Sequence, residues 1–236
     1  YPQSYPPFEH WPGTNNNYIV YYNDNLLYQG NLDPNHLLDF DFSVAQSAVT
    51  WCREYWQSQC MASCSQSGIS WETTQQGAEL YFTDNPKILP ASALARTVTA
   101  ISAFLKDDIV RESSCGQEVI KDHSQSEILF NNSEEFYFRR DTDTYDRSAW
   151  TTNSKTAFEN NYSTRTPAYL FQFTLLHEMG HYLGLPHDNE GCMRAGYNYI
   201  FDYWQGDYNK PLNMLINQCD ADRFRRLYCV ECIGEP

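Results

Sequence analysis

Three histidines, a glutamate and two glycines lie within the stretch HEMGHYLGLPHD at positions 177–188. His177 and His181 are four residues apart, so on a helix their imidazoles share one face, one turn apart. Two imidazole nitrogens at that spacing can reach one zinc ion at about 2.0–2.1 Å. Glu178 is displaced around the helix, so it is placed to reach a water on that metal rather than to share its inner shell. The stretch therefore predicts a metal site with an adjacent carboxylate.

The residues that follow predict how a third ligand reaches the same metal. Gly184 lies three positions after His181, and glycine can adopt a positive φ that ends a helix and turns the chain sharply. The turned chain then carries His187 back toward the two helical histidines. Three protein ligands leave a fourth position for water, which is typical of a catalytic rather than a structural zinc. We therefore predict one catalytic Zn²⁺ ion at this site.

The elements that must position these residues follow from hydrophobic periodicity. An apolar helix over 168–183 carries the first two histidines and stops at Gly184 and Pro186. A second, amphipathic helix is predicted over 43–57, because apolar residues recur there every three or four positions. Strands are predicted at 18–22, 69–71, 78–82 and 127–131, and a last short helix at 220–228.

Three other segments complete the predicted organisation. Residues 1–17 are rich in proline and predict an extended lead-in. Residues 91–110 are ambiguous, because Ala and Leu favour a helix whereas the alternation over 96–101 favours a strand. Residues 136–154 are polar and predict a loop. The order of elements fits one α+β domain.

Composition excludes several classes of function. The chain has 236 residues, with 16 Lys and Arg against 30 Asp and Glu, which gives a formal net charge of −14. A nucleic-acid binder normally needs a basic surface, and an anionic membrane would repel this one. No apolar run approaches the ~18 residues of a membrane-spanning helix. We therefore expect no nucleic-acid partner and no membrane association.

Cysteines and glycosylation sequons point to secretion. The chain has eight cysteines, an even number, and Asn-x-Ser sequons at Asn131 and Asn161. It begins at Tyr1 without an apolar signal segment, as expected of a processed product. We expect a secreted, glycosylated protein with disulfide bonds.

The loop-rich C-terminal segment is expected to depend on cross-links, because so short a segment buries little apolar surface by itself. At least one disulfide should connect the loop after His187 to the region of Met214 or to the last helix. Four cysteines are predicted to be oxidised on this argument: Cys192, Cys219, Cys229 and Cys232.

The extended pattern HExxHxxGxxHD resembles the metzincin clan of zinc endopeptidases at every fixed position. The resemblance implies His177, His181 and His187 as zinc ligands. It also implies Glu178 as the general base. A metzincin-like architecture is implied as well, with a twisted, mainly parallel sheet, a backing helix and an active-site helix. Residues 1–236 would then be a single metallopeptidase domain.

The resemblance also divides that domain into parts. After the 1–17 lead-in, an N-terminal subdomain would span 18–184 and a small loop-rich C-terminal subdomain 185–236. The organisation matches the clan roughly over 18–232, whereas the specific motif covers only 177–188.

Metzincins also place a methionine turn beneath the metal, and two residues compete for it. Met214 lies 27 positions after His187 and precedes the last predicted helix, which is the family order, so Met214 is favoured. Met193 is the alternative, only six positions after His187. Cys192 and Met193 give this loop adamalysin-like or pappalysin-like features, and the subfamily stays open.

These features predict a secreted zinc endopeptidase, made as a zymogen, that acts as a monomer on protein or peptide substrates. An alternative is a binding protein or toxin that keeps the metzincin scaffold with little turnover; Glu178 argues against it, because a binding scaffold needs no base there. Hydrolysis of a non-peptide amide is a further alternative.

One acidic loop offers carboxylates that could bind Ca²⁺, and the alternative is an acidic loop that is simply solvated. That loop contains Asp141, Asp143 and Asp146.

Overall fold

The computed structural model describes fifteen segments of the chain. They are residues 8–10, 13–14, 17–23, 37–38, 42–59, 69–73, 78–83, 87–90, 93–101, 109–113, 116–131, 136–137, 169–189, 191–195 and 215–228. The helices described there are α1 (Phe42–Ser58), α2 (Phe171–Tyr182) and α3 (Gln218–Tyr228). None of these helices is both long and apolar enough to cross a bilayer.

The described strands are short apart from one. They are β1 (Phe8–His10), β2 (Gly13–Thr14), β3 (Asn17–Tyr22), β4 (Leu37–Leu38), β5 (Ile69–Thr73), β6 (Ala78–Thr83), β7 (Ala95–Ile101), β8 (Ile109–Ser113), β9 (Gly116–Asn131), β10 (Phe136–Tyr137) and β11 (Tyr169–Leu170). The sixteen-residue β9 pairs with β1 and β8 along its first half and with β6 and β7 along its second half.

The described strands pair in both directions, with β1 and β6 parallel to β9 and β7 and β8 antiparallel to it. β3 runs parallel to β5, and β6 runs parallel to β9. The two pairs meet where the Leu80 N–H donates to the carbonyl of Asn23 at 3.1 Å. β7 is antiparallel to β9 and lies on the side opposite β6. Along its second half β9 therefore has β6 as a parallel neighbour and β7 as an antiparallel one, while β3 and β5 form a separate sheet with β2.

Strand β7 resolves the ambiguous stretch 91–110 in favour of a strand over 95–101. Its run of β-branched residues suits a pleated backbone better than a helix. Antiparallel pairing with β9 places Thr97 opposite Ile128. The side chains of Arg96 and Val98 are exposed, whereas that of Thr97 is half-buried, so Thr97 belongs to the inner face.

Helix α1 lies against the helix that carries the histidines. The indole N–H of Trp56 donates to the Leu176 carbonyl at 3.0 Å, and the thiol of Cys52 donates to the Gln172 carbonyl at 3.6 Å. The Trp56 ring also packs against Phe224 of α3, with centroids 5.4 Å apart. One buried face of α1 therefore supports both α2 and α3, as the amphipathic pattern requires.

Most predicted elements are confirmed, with altered ends. α1, β3, β5, β6 and α3 lie within one or two residues of the predicted bounds. Helix α2 begins at Phe171 rather than at position 168, because residues 169–170 pair with β10 as strand β11. The strand predicted at 127–131 is the end of the longer β9. Within the predicted lead-in, residues 8–10 and 13–14 are extended as strands.

The disulfide prediction is wrong for the two C-terminal cysteines that the structure describes. Cys192 and Cys219 carry free thiols, as does Cys52. Cys192 is fully buried, and hydrogen bonds from its own backbone hold its loop, so no covalent link is needed there. Cys229 and Cys232 lie outside the described residues.

The sequon at Asn131 is unsuited to glycosylation in this fold. The side chain of Asn131 is buried at the end of β9, and its Nδ2 donates to the Ala93 carbonyl at 2.9 Å. A glycan on that nitrogen would have to displace this contact. Asn161 and the acidic loop considered for Ca²⁺ lie outside the described residues. The subdomain boundary at Gly184 stays a prediction.

Candidate metal centre

The three histidines of the motif converge. One ring nitrogen from each of His177, His181 and His187 lies within 4.8 Å of the others. The ring centroids are 4.8, 5.3 and 4.4 Å apart. His177 and His181 are half-buried, whereas His187 is exposed. The cluster is therefore open to solvent on the side of His187.

Backbone carbonyls set the orientation of the two helical imidazoles. Nδ1 of His177 lies 2.5 Å from the carbonyl oxygen of Cys192, and Nδ1 of His181 lies 2.7 Å from that of Leu185. A carbonyl only accepts, so each Nδ1 is the nitrogen that carries the proton. The Nε2 lone pair of each ring is then the one offered to a metal. This is the usual outer support of metal-binding histidines.

The protonation state of these rings also suits a metal site. Burial lowers the pKa of His177 to about 4, and the hydrogen bond from Nδ1 to Cys192 opposes the shift. Burial likewise lowers the pKa of His181 to about 4, with a further decrease from neighbouring His177. Both imidazoles are therefore neutral at neutral pH, and a histidine must be neutral to bind a metal.

The predicted turn at Gly184 is confirmed, and it brings His187 to the cluster. Gly184 has φ 93°, a conformation that favours glycine. The N–H of Leu185 donates to the Gly180 carbonyl at 2.9 Å, and the N–H of Gly184 donates to the His181 carbonyl at 2.8 Å. These two bonds close the helix as a Schellman-type end.

The loop after His187 folds back beneath the helix. The N–H of Asp188 donates to the Met193 carbonyl at 2.9 Å, which closes the loop 188–193. Met193 is fully buried, and its sulfur lies so close to Gly180 that a Cβ there would overlap it. Met193 is thus packed against the helical segment between the two histidines. Met214, the favoured candidate for the methionine turn, lies outside the described residues.

Glu178 is held beside the cluster by the antiparallel strand. Its side chain is 6% exposed, and Oε2 accepts a hydrogen bond from the Thr97 hydroxyl at 2.7 Å. The same hydroxyl lies 2.9 Å from the carbonyl oxygen of Glu178. Burial raises the pKa of Glu178, whereas His181 and the Thr97 hydroxyl favour its charged form. Among the described residues, the group whose atoms could hold one metal is the three histidines, without Glu178.

Helix α3 contacts the same loop from its N-terminal turn. Oδ2 of Asp220 accepts from the N–H of Cys192 at 2.9 Å. Nη1 of Arg223 lies 2.7 Å from Oδ2 of Asp188, and the Cys219 thiol donates to that oxygen at 3.2 Å. The predicted connection between this loop and the last helix therefore exists, but it consists of hydrogen bonds and an ion pair.

Sequence reasoning identified the ring nitrogens of the cluster and missed the groups that hold them. The carbonyls of Cys192 and Leu185 have no sequence signature, because every residue carries one. Thr97 lies 81 positions from Glu178, and nothing local in its strand indicates that contact. For Asp220, the sequence predicts only a position in the last helix.

The donor set fits zinc. Nitrogens bound to one tetrahedral zinc at 2.0–2.1 Å lie about 3.3 Å apart, so the observed spacing requires only small side-chain movements. Three imidazoles with one open side suit a borderline-soft ion that keeps a water. The chain matches no protein-family model, and no curated protein is significantly similar to it. Function is therefore inferred from the geometry of this site.

Proposed function

We propose that this chain is a secreted zinc endopeptidase of the metzincin type. The observation that carries the proposal is the placement of Glu178 on the same helix as the convergent His177 and His181. A buried carboxylate next to three metal-binding nitrogens is the minimal equipment for water-dependent cleavage of an amide. Two features of the fold support the proposal, the helix α1 packed against α2 and the glycine turn before His187.

A zinc ion held by the three histidines would lower the pKa of its water toward ~7 and polarise the scissile carbonyl. Glu178 would accept the proton of the attacking water and later return it to the leaving amine. Thr97 would hold one carboxylate oxygen in place, which leaves Oε1 for that proton. The carbonyls of Cys192 and Leu185 would keep two rings in their metal-binding orientation. The exposed side at His187 would admit the substrate.

The methionine turn is better assigned to Met193 under this proposal. Met193 is fully buried and touches the helix at Gly180, between the two helical ligands. The closed loop 188–193 brings Met193 back beneath the helix within six positions of His187. Met214 keeps its place as the alternative.

The buried carboxylate of Glu178 argues against the alternative of a binding protein without turnover. A scaffold that only binds a partner gains nothing from a buried carboxylate, which costs desolvation free energy.

We also propose that the protein is secreted, monomeric and made as a zymogen, on the basis of its composition and of the resemblance to metzincins.

Replacement of the base tests the proposal directly. Glu178→Ala should keep one equivalent of zinc and lose at least the ~10²-fold in kcat that a general base supplies. The matched control is Glu72→Ala, because Glu72 is exposed on β5 and should leave both properties unchanged. Metal content is read by mass spectrometry, and cleavage by a casein or gelatin assay with a chelator arm and by a peptide library. Chelator-insensitive cleavage, or near-normal kcat in Glu178→Ala, would contradict the assigned roles.

A further inference from the structure

A buried carboxylate on α3 points at the loop that supports the histidines. Asp220 is fully buried, and its Oδ2 accepts from the N–H of Cys192 at 2.9 Å. The start of α3 does not need this carboxylate, because Oδ1 of Asn217 already accepts the N–H of Asp220 at 2.8 Å as a helix cap. The Asp220 side chain therefore binds the backbone of the loop and does not cap its own helix.

Cys192 joins this carboxylate to the metal cluster. Its N–H is held by Asp220, and its carbonyl oxygen lies 2.5 Å from Nδ1 of His177. The next carbonyl, that of Met193, accepts the N–H of Asp188, the residue that follows His187. A single short loop therefore supports one helical ligand and the neighbour of the third ligand.

The loop approaches Asp220 so closely that a side chain is excluded. Gly191 has φ 71°, and a Cβ there would overlap Oδ2 of Asp220 and lie 2.5 Å from Nδ2 of Asn217. Glycine satisfies both the conformation and the lack of space. The backbone of the loop is thus shaped around this carboxylate.

The charge of Asp220 is an unfavourable feature for folding. Burial raises the pKa of Asp220 to about 6, although hydrogen bonds from Cys192 and Met193 favour the charged form. The described ion pair between α3 and this loop joins Arg223 to Asp188 instead. A buried carboxylate without a described cationic partner contributes little to the stability of the fold. The presence of Asp220 is better explained by the position that it imposes on the backbone of Cys192.

We propose that Asp220 is a positioning residue for the metal ligands: its carboxylate fixes the backbone of Cys192 and thereby the orientation of the His177 ring. The carboxylate acts from outside the metal's inner shell, as do the outer partners of other metal-bound histidines. The inference rests on the proposed function only in requiring a metal at the three histidines, and its test reads metal affinity without peptide cleavage.

The test compares three variants of the full chain. Asp220→Ala removes the contact, Asp220→Asn removes the charge and keeps one acceptor oxygen, and Asp222→Ala is the control. Asp222 lies on the same helix, half-exposed, and pairs with Arg225. Zinc affinity is measured by competition with a chromogenic chelator, and the metal-free proteins are melted in parallel.

Asp220→Ala should bind zinc about 10- to 100-fold more weakly than the parent, in the range found for outer-shell partners of metal ligands. Asp220→Asn should lose affinity by a smaller factor, and Asp222→Ala should match the parent. The metal-free Asp220→Asn protein should melt no lower than the parent at pH 7, because it lacks a buried charge. Weaker zinc binding together with unchanged stability of the metal-free protein distinguishes a positioning role from a merely structural one.

Several outcomes would overturn the inference. Parent-like zinc affinity in folded Asp220→Ala would do so, and if that variant does not fold, parent-like affinity in Asp220→Asn decides the question in the same way. A fall in metal-free stability that accounts for the whole loss of affinity would make Asp220 structural. A parent that binds zinc but cleaves no peptide would contradict the proposed function alone, whereas a parent that binds no zinc would overturn both.

Discussion

The close approach of Gly180 to the loop beneath it gives a sharp prediction for Gly180→Ala. A Cβ at this position would overlap the sulfur of Met193 and lie 3.0 Å from both Met193 Cε and Trp56 Cζ2. Non-bonded carbons normally approach to about 3.5–4.0 Å. The new methyl group therefore fits only if Met193 or Trp56 moves.

Two effects of opposite sign determine the stability of Gly180→Ala. Alanine in place of glycine inside a helix contributes about 0.5–1 kcal/mol in favour of folding. Overpacking of a core costs about 1–3 kcal/mol. Met193 is fully buried with its carbonyl bonded to Asp188, and Trp56 is fixed by its bond to Leu176, so neither moves freely. Overpacking should win, with a net loss of about 1–2 kcal/mol.

The assay is thermal and denaturant unfolding of the metal-free protein as a double-mutant cycle with Met193→Ala. For a chain of this size the loss corresponds to a decrease in Tm of about 2–8 °C. In the Met193→Ala background only the contact with Trp56 remains, so the cost of Gly180→Ala should shrink by about 1 kcal/mol or change sign. An equal cost in both backgrounds, or a stabilised Gly180→Ala in the parent background, would refute the packing described here.

Three further predictions concern the site. His187→Ala should weaken zinc binding and activity together, since two helical ligands remain; one full equivalent of tightly held zinc, by mass spectrometry, would remove His187 from the ligand set. Thr97→Val should lower kcat about tenfold with KM and zinc content unchanged, and Thr97→Ser should restore it; equal kcat in Thr97→Val and parent would contradict the contact with the base. Because the folded pKa of Asp220 is raised from 3.8 to about 6, its contribution to stability is present below pH 4 and lost as the pH rises through 6. Unfolding free energies of metal-free Asp220→Asn and parent should therefore diverge by up to about 3 kcal/mol in favour of the variant between pH 4 and pH 7, and a constant difference would contradict the shift.

The parts of the site that were predictable from sequence are those set by local geometry. The four-residue spacing of His177 and His181 fixes their common face, and the position of Gly184 fixes where the helix ends; the structure confirms both the convergence and the turn. The same holds for α1, whose apolar spacing alone determines the face that packs on α2. Such features depend on a few neighbouring residues, so one sequence is enough to reveal them.

The supporting contacts were not predictable because they join distant segments through groups without a sequence signal. Thr97 reaches Glu178 only because β7 pairs with β9 in the antiparallel sense, and the stretch 91–110 left even the helix-or-strand choice open. The register that places Thr97 inward is a property of the pairing with β9 and not of the strand itself. Likewise, the carbonyl of Cys192 could not be distinguished from any other until the loop 188–193 was closed.

The failed disulfide prediction shows how the support of the site works. A C-terminal segment with so small a core needs a connection between the loop after His187 and the last helix, but in this fold the connection is not a disulfide. The structure instead uses the buried Asp220, which holds the Cys192 backbone, and the pair of Arg223 with Asp188. A disulfide restricts mainly the unfolded chain, whereas a carboxylate that accepts from a backbone N–H fixes an orientation in the folded one. The carbonyl oxygen of Cys192 lies 2.5 Å from Nδ1 of His177. The loop must therefore keep a fixed orientation in the folded protein, which a restriction of the unfolded chain does not provide. The HExxHxxGxxH pattern therefore identifies the candidate ligands and the candidate base of this site, while the residues that hold Glu178 and the backbone of Cys192 lie outside the pattern, on β7 and α3.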